Sequence, residues 1–127
     1  MQVLIDTHIF LWLISDSKKL KPAAKRMITE ADAVYVSAAS IWEISIKVAL
    51  KKLKANPEDL VGAITQAGML ELPVTAKHAA KVATLPLHPD HNDPFDRLLV
   101  AQALTEPLLL LTDDAQLVHY SDLVQAV

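Results

Sequence analysis

Apolar and polar positions follow two rhythms along the chain. Gln2 to Ile5 is a short apolar run that stops at Asp6, and Leu108 to Leu111 is four leucines that lead straight into Thr112, Asp113 and Asp114. Runs this short and this apolar predict strands buried on both faces, and Ala33 to Val36 and Leu70 to Leu72 read the same way. Between them the spacing turns helical. Ala23 to Ala31 places Lys25, Arg26 and Glu30 outward, and Ser40 to Lys52 gathers Ile41, Ile44 and Val48 on one face. Pro57 to Ala67, Thr75 to Ala83 and Phe95 to Leu104 are further predicted helices. Thr7 to Ile14 is apolar nearly all round, through Phe10, Leu11, Trp12 and Leu13, so it is expected to pack on two sides. One stretch, "LPLHPDHNDP", is dense in prolines and reads as a loop.

Short apolar strands alternating with helices predict a parallel sheet, because parallel neighbours need crossover connections, and those connections cover both faces. The expected fold class is α/β, a three-layer α/β/α sandwich. With 127 residues and no repeat, low-complexity tract or linker, a single domain spanning residues 1–127 is expected. Cysteine is absent, which excludes disulfides and thiolate metal sites and leaves oxygen or imidazole as the only metal donors. The longest strictly apolar run, Ile9 to Ile14, is far short of the ~20 residues of a membrane span, and the start of the chain lacks the pattern of a secretory signal. A cytoplasmic protein that does not engage a membrane is expected. Hydrophobic residues make up 52% of the chain and aromatics 5%, so the core is aliphatic and apolar surface is left over for a partner.

In a parallel sheet all strands end at one edge, and ligands bind beyond those ends. Asp6 ends the first strand, and Asp113 and Asp114 end the last predicted one, so the fold itself brings them to a common edge. Glu43 follows the second strand, and Asp93 and Asp96 open the helix before the leucine strand. Each acid also has a structural reading. Asp6 or Thr7 can cap the first helix, Ser40-Ile41-Trp42-Glu43 has the form of a capping box, Asp93 can cap a helix with Pro94 at its first position, Asp113 can cap a last short helix, and Glu43 can pair with Lys47. The set argues differently from its members. Carboxylates gathered within a few ångströms repel one another unless a cation sits between them, and Mg²⁺ or Mn²⁺ suits an all-oxygen donor set.

The segments "VLIDTHIFLW", "SAASIWEIS", "HNDPFDRLLVAQA" and "LLLLTDDAQL", in this order, resemble the four motifs of PIN-domain nucleases, in particular the VapC-type toxins of bacterial toxin–antitoxin pairs. The resemblance implies a PIN-like α/β/α sandwich, Mg²⁺- or Mn²⁺-dependent endoribonuclease activity on RNA, a homodimer, and a cognate antitoxin whose tail enters the acidic groove. Matched by position, it implies Asp6, Glu43, Asp96 and Asp114 as catalytic metal ligands. Asp93 and Asp113 stand beside two of these as secondary candidates, and Thr112 is a candidate to orient a water or a carboxylate.

The remaining charges are patterned. Setting aside four of the 15 acids leaves the rest close to balance with the 12 bases, and the net charge is -3. Lys18, Lys19, Lys21, Lys25 and Arg26 form one basic group; Lys47, Lys51, Lys52 and Lys54 form another. Both read as solvated helix faces or as contacts for RNA phosphates. Arg97 reads as a local salt-bridge partner. His8, His88 and His91 lie near the acids without a metal-binding spacing, and are read as loop or cap hydrogen-bonding residues. Trp12 and Trp42 read as core, with a partner contact as the alternative. Two other functions compete: a phosphatase with an aspartyl nucleophile, for which position 8 offers His8 instead of a second aspartate, and a non-catalytic module whose acidic groove binds a basic peptide.

Overall fold

A computed structural model describes residues 1–127. Five parallel strands, β1 (Gln2–Ile5), β2 (Ala33–Ser37), β3 (Leu70–Leu72), β4 (Leu109–Thr112) and β5 (Val124–Ala126), form one sheet in the order β3-β2-β1-β4-β5. The helices are α1 (Thr7–Ile14), α2 (Pro22–Glu30), α3 (Ala38–Ala49), α4 (Pro57–Gln66), α5 (Ala76–Lys81) and α6 (Pro94–Thr105), with 3-10 turns at Val82–Thr84 and Ala115–Tyr120.

The period-two rhythm of the strands divides the core into two layers. Val3, Ile5, Val34, Val36 and Leu111 point to one face and pack with Ile9 and Phe10 of α1, Ile28 of α2, Ile44 of α3 and Ile64 of α4. Leu4, Leu72, Leu110 and Val124 point to the other face and meet Leu99, Val100, Ala101 and Ala103 of α6. Leu110 and Leu111 are both fully buried, one on each face, as a four-leucine run implies. Each such side chain contributes roughly 1.5–3 kcal/mol over its exposed state. Truncating one, as in Leu110→Ala, costs about 2–5 kcal/mol because a cavity is left behind.

Chain order and sheet order part company between β1 and β4. β1 lies between β2 and β4, in register Ile5 with Val36 and Ile5 with Leu111. The first four helices cover one face and α6 the other, with α5 packed on α6, so a crevice opens beyond the carboxyl ends of β1 and β4. Gly68 ends α4 with φ 76, Gly68 N–H bonding Thr65 O and Met69 N–H bonding Ile64 O, a turn that sends the chain directly into β3.

Several sequence expectations are corrected. β5 has no apolar run to announce it, since only Val124 of its three residues is buried. Helix α3 starts at Ala38 with Ser37 as its cap, so Ser40 and Glu43 are helical and form no capping box. The last 3-10 turn is capped by Asp114, not Asp113. Trp42 is 60% exposed and is not core. Arg97 is buried without a carboxylate partner; its guanidinium donates to the carbonyls of Pro86, Val82 and Leu85 and to the Tyr120 hydroxyl.

Candidate functional site

At the crevice, an open cleft of about 270 Å³ is lined by Asp6, Thr7, His8, Glu43, Asp96, Asp113, Asp114 and Ala115. All four motif acids therefore face one space. Asp6 arrives as the residue after β1. It caps α1, accepting from Ile9 N–H at 2.9 Å through Oδ1, while Oδ2 accepts from Thr112 Oγ1 at 2.6 Å and from Asp113 N–H at 3.4 Å. Thr112, the last residue of β4, also accepts from Asp114 N–H at 3.1 Å, so one hydroxyl ties together the ends of two adjacent strands.

Glu43 reaches the cleft from the second turn of α3, the helix that follows β2. Its Oε1 lies 2.8 Å from Thr7 Oγ1, and its Oε2 pairs with Lys47 at 2.9 Å. Thr7 also lies 3.0 Å from Ser40 Oγ; having one hydrogen, it gives that to the carboxylate, which can only accept. Asp114, which also lines the cleft, divides its oxygens, Oδ1 accepting from Gln116 N–H at 2.9 Å as the cap of the 3-10 turn and Oδ2 lying 3.0 Å from His91 Nε2. The cap and site readings of Asp6 and Asp114 are thus compatible, because a carboxylate has an oxygen for each task.

Asp93 and Asp96 separate in role. Asp93 caps α6, accepting from Asp96 N–H at 3.0 Å, and stays off the cleft wall, whereas Asp96 lines it. Asp113 also lines the cleft, but its carboxylate turns to His8, 3.2 Å from Nδ1, and the His8 ring stacks on Trp12. Thr112 orients a carboxylate.

The crowding shows in proton affinity. Burial pushes the Asp6 carboxyl up to about 6, the Asp113 charge adding to the rise while the bonds from Thr112 and Ile9 oppose it. Burial likewise pushes Asp96 up to about 7, helped by the charges of Asp93, Glu43 and Asp6 and opposed by His91. Negative charge here is costly, and a bound cation would offset it.

His91 is the residue that sequence reasoning set aside and the fold brings in. Its Nε2 is 3.0 Å from Asp114 Oδ2 and 3.4 Å from Asp96 Oδ2. Ligand atoms of His91, Asp96 and Asp114 all lie within 4.8 Å of one another, an arrangement that could hold a metal ion. Its only sequence signal is its place five residues before Asp96 in the proline-rich loop. Carboxylate oxygens around a buried nitrogen that has no hydrogen-bond partner fit a divalent ion.

Comparison with known proteins bears on the fold and the family. The chain is 29% identical over 121 residues to Ribonuclease VapC22 of Mycobacterium tuberculosis, the match covering 91% of this chain and 88% of that protein. Among solved structures it is similar to VapBC2 from Rickettsia felis bound to a DNA fragment from their promoter, with a TM-score of 0.73 at 15% identity over 99% of this chain and 98% of the other. It is also similar to a toxin–antitoxin complex from Klebsiella pneumoniae, with a TM-score of 0.65 at 15% identity over 98% and 96% of the two chains. At such identities these structures speak for the fold. Residues 3–123 match the sequence profile of the PIN domain, and the chain belongs to that family.

Proposed function

We propose that this chain is a metal-dependent endoribonuclease, the toxin of a toxin–antitoxin pair, with Asp6, Glu43, Asp96 and Asp114 as the catalytic ligands of Mg²⁺ or Mn²⁺. The observation that carries this reading is the convergence of those four acids on one cleft, two of them with carboxyls pushed far above the ordinary range. The relation to a ribonuclease and to toxin–antitoxin structures supports RNA as substrate and an antitoxin as partner.

Asp6, Glu43, Asp96 and Asp114 would hold the divalent ion, which when bound would supply Lewis acidity, making a water more acidic and offsetting charge that builds on the phosphoryl oxygens. The protein's own part is placement. Thr112 and the α1 N-terminus hold Asp6 by both oxygens, and Thr7 and Lys47 hold Glu43 by both of its own. With these rotamers fixed, little reorganisation is left for the reaction, in which water adds to phosphorus as one P–O ester bond breaks.

An acidic cleft needs basic surface nearby to hold a polyanion. Lys47 sits at the rim on Glu43, and Lys51, Lys52 and Lys54 continue from it as exposed residues, so this group is the proposed track for RNA phosphates. Trp42, Ile46 and Leu50 form an exposed apolar stripe along α3, surface suited to the antitoxin or to the second copy of a homodimer. No helix is long and apolar enough to cross a membrane. We place the protein in the cytoplasm and take residues 1–127 as one domain.

The direct test incubates purified protein with RNA in Mg²⁺, in Mn²⁺ and in chelator. Cleavage that needs the ion and disappears in Asp96→Asn is expected. Cleavage undiminished by chelator would reject metal dependence, and tight peptide binding with no cleavage under any condition would favour a binding module instead.

A further inference from the structure

The four acids leave one donor unexplained. His91 Nε2 is shut off from solvent and makes no hydrogen bond, although Asp114 Oδ2 is 3.0 Å away and Asp96 Oδ2 3.4 Å away. Both oxygens are near enough, so direction is what fails. A nitrogen that approaches two carboxylates without aligning on either is poorly placed as a hydrogen-bond donor. It is well placed to share an ion with them. Adjacent donors on an octahedral ion with bonds of about 2.1 Å sit about 3 Å apart, and opposite donors about 4.2 Å apart. The separations of 3.0 Å to Asp114 and 3.4 Å to Asp96 lie close to that adjacent-donor spacing.

The ring is aimed by its backbone. His91 N–H donates to His88 O at 3.1 Å, closing a turn that brings the two histidines into an isolated antiparallel bridge. Tyr120 Oη donates to His91 O at 2.9 Å and accepts from Arg97 Nη1 at 3.1 Å. Arg97 Nη1 also donates to Pro86 O at 2.8 Å, gripping the loop upstream of the turn. A buried cation and a tyrosine thus fix the peptide on which the imidazole is mounted.

We propose that His91 Nε2 is a direct ligand of the ion held by Asp96 and Asp114, making this a mixed nitrogen and oxygen site that prefers Mn²⁺ to Mg²⁺. The assignment rests on the metal-dependent reading of the cleft. Imidazole strengthens binding of a first-row transition ion, while Mg²⁺ keeps to oxygen donors and water. The competing arrangement is an imidazolium that bridges the two carboxylates as a counter-ion and never touches the metal.

Pulsed electron paramagnetic resonance on the full chain loaded with Mn²⁺ separates the two. A directly bound imidazole imposes ¹⁴N modulation, which should appear in the wild type, change character on ¹⁵N-histidine labelling, vanish in His91→Ala and in His91→Gln, and persist in His8→Ala. In calorimetric titrations His91→Ala should weaken Mn²⁺ binding by about tenfold or more and Mg²⁺ binding by less than about threefold. The His91 carbonyl, not its ring, receives the Tyr120 bond, so the loop anchor survives both substitutions. His91→Gln serves if His91→Ala does not fold. Mn²⁺ bound without nitrogen modulation, or modulation that persists in a folded His91 variant, overturns the assignment and leaves the acid site standing. Failure of the wild type to bind Mn²⁺ at all overturns the metal reading of the cleft and this assignment with it.

Discussion

Thr112 and Asp6 meet where β4 and β1 end side by side, the Thr112 hydroxyl donating to Asp6 Oδ2 at 2.6 Å. The same hydroxyl accepts from Asp114 N–H, so a single buried oxygen sets the orientation of two motif acids. Thr112→Val keeps the shape and removes both bonds. It should cost about 1–3 kcal/mol in thermal or denaturant unfolding and lower metal affinity and RNA cleavage roughly 10–100-fold, with Thr112→Ser restoring most of each. A valine variant that binds Mn²⁺ and cuts like the wild type would show Thr112 to be filler.

Asp6 combines a cap with a site, and two substitutions pull these apart. Asparagine keeps an oxygen for Ile9 N–H but loses the charge, whereas alanine loses both. Asp6→Asn should therefore reduce cleavage on the order of a hundredfold or more with little loss of metal-free stability. Asp6→Ala should match it in activity and lose about 1 kcal/mol more in unfolding, the usual worth of an N-cap. Parental cleavage rates in Asp6→Asn would remove Asp6 from the proposed ligands.

Asp96 at about 7 and Asp6 at about 6 make the metal-free protein pH-sensitive in a defined direction. Both folded values lie above the ordinary carboxyl value of 3.8, so folding favours the protonated forms. Their stabilising contribution is complete below pH about 4 and is lost as pH rises through 6 and 7, at about 1.4 kcal/mol per tenfold change in proton affinity. In chelator the melting temperature should fall between pH 5 and pH 8. Asp96→Asn should flatten that fall, and saturating Mn²⁺ at pH 8 should reverse it. A melting temperature that rises across this window in chelator would contradict the crowding of charge in the cleft.

Local pattern made the sheet and most of the acids legible. The apolar runs ending at Ile5 and Leu111 carry both the strands and the placement of Asp6 and Asp114, because parallel strands share an edge. Strand ends alone say less about Asp96. A helix joining parallel strands runs against them, however, so the start of α6 belongs at the same edge as the ends of β1 and β4. His91 was not legible: its position depends on Arg97 and Tyr120 closing a loop, contacts 11 to 29 residues apart in the chain that no local spacing encodes. Trp42 was misread because an aromatic residue on an apolar helix looks the same whether the face it lies on meets a core or a solvent boundary.

Arg97 offers a test of that loop clamp. Its guanidinium serves three carbonyls and the Tyr120 hydroxyl in a geometry that only a planar fork can reach. Arg97→Lys retains the charge and should still lose about 2–3 kcal/mol of stability, since several buried acceptors are left unpaired. It should also raise the amide hydrogen-exchange rate of His91, whose N–H closes the turn onto His88 O. Unchanged exchange at His91 in a folded Arg97→Lys variant would mean that the turn holds itself.

Lys51 carries the sharpest test of the RNA track, because stability and binding should move in opposite directions there. The residue follows α3 with φ 59, in the left-handed region that favours glycine, as Lys51 N–H bonds Val48 O and Lys52 N–H bonds Lys47 O. A lysine in that position costs about 1 kcal/mol that glycine would spare. Lys51→Gly should accordingly leave the protein as stable or up to about 1 kcal/mol more stable, while removing one cation of the second lysine group. Each phosphate contact on a single strand contributes about 0.7 to the slope of log affinity against log salt. Lys51→Gly should flatten that slope by about this amount in a catalytically silenced background such as Asp96→Asn, and replacing Lys51, Lys52 and Lys54 together should flatten it by about 2. A slope that stays constant across these variants would make the second lysine group a solvated helix end and send the RNA elsewhere, with Lys18, Lys19 and Lys21 the next group to neutralise.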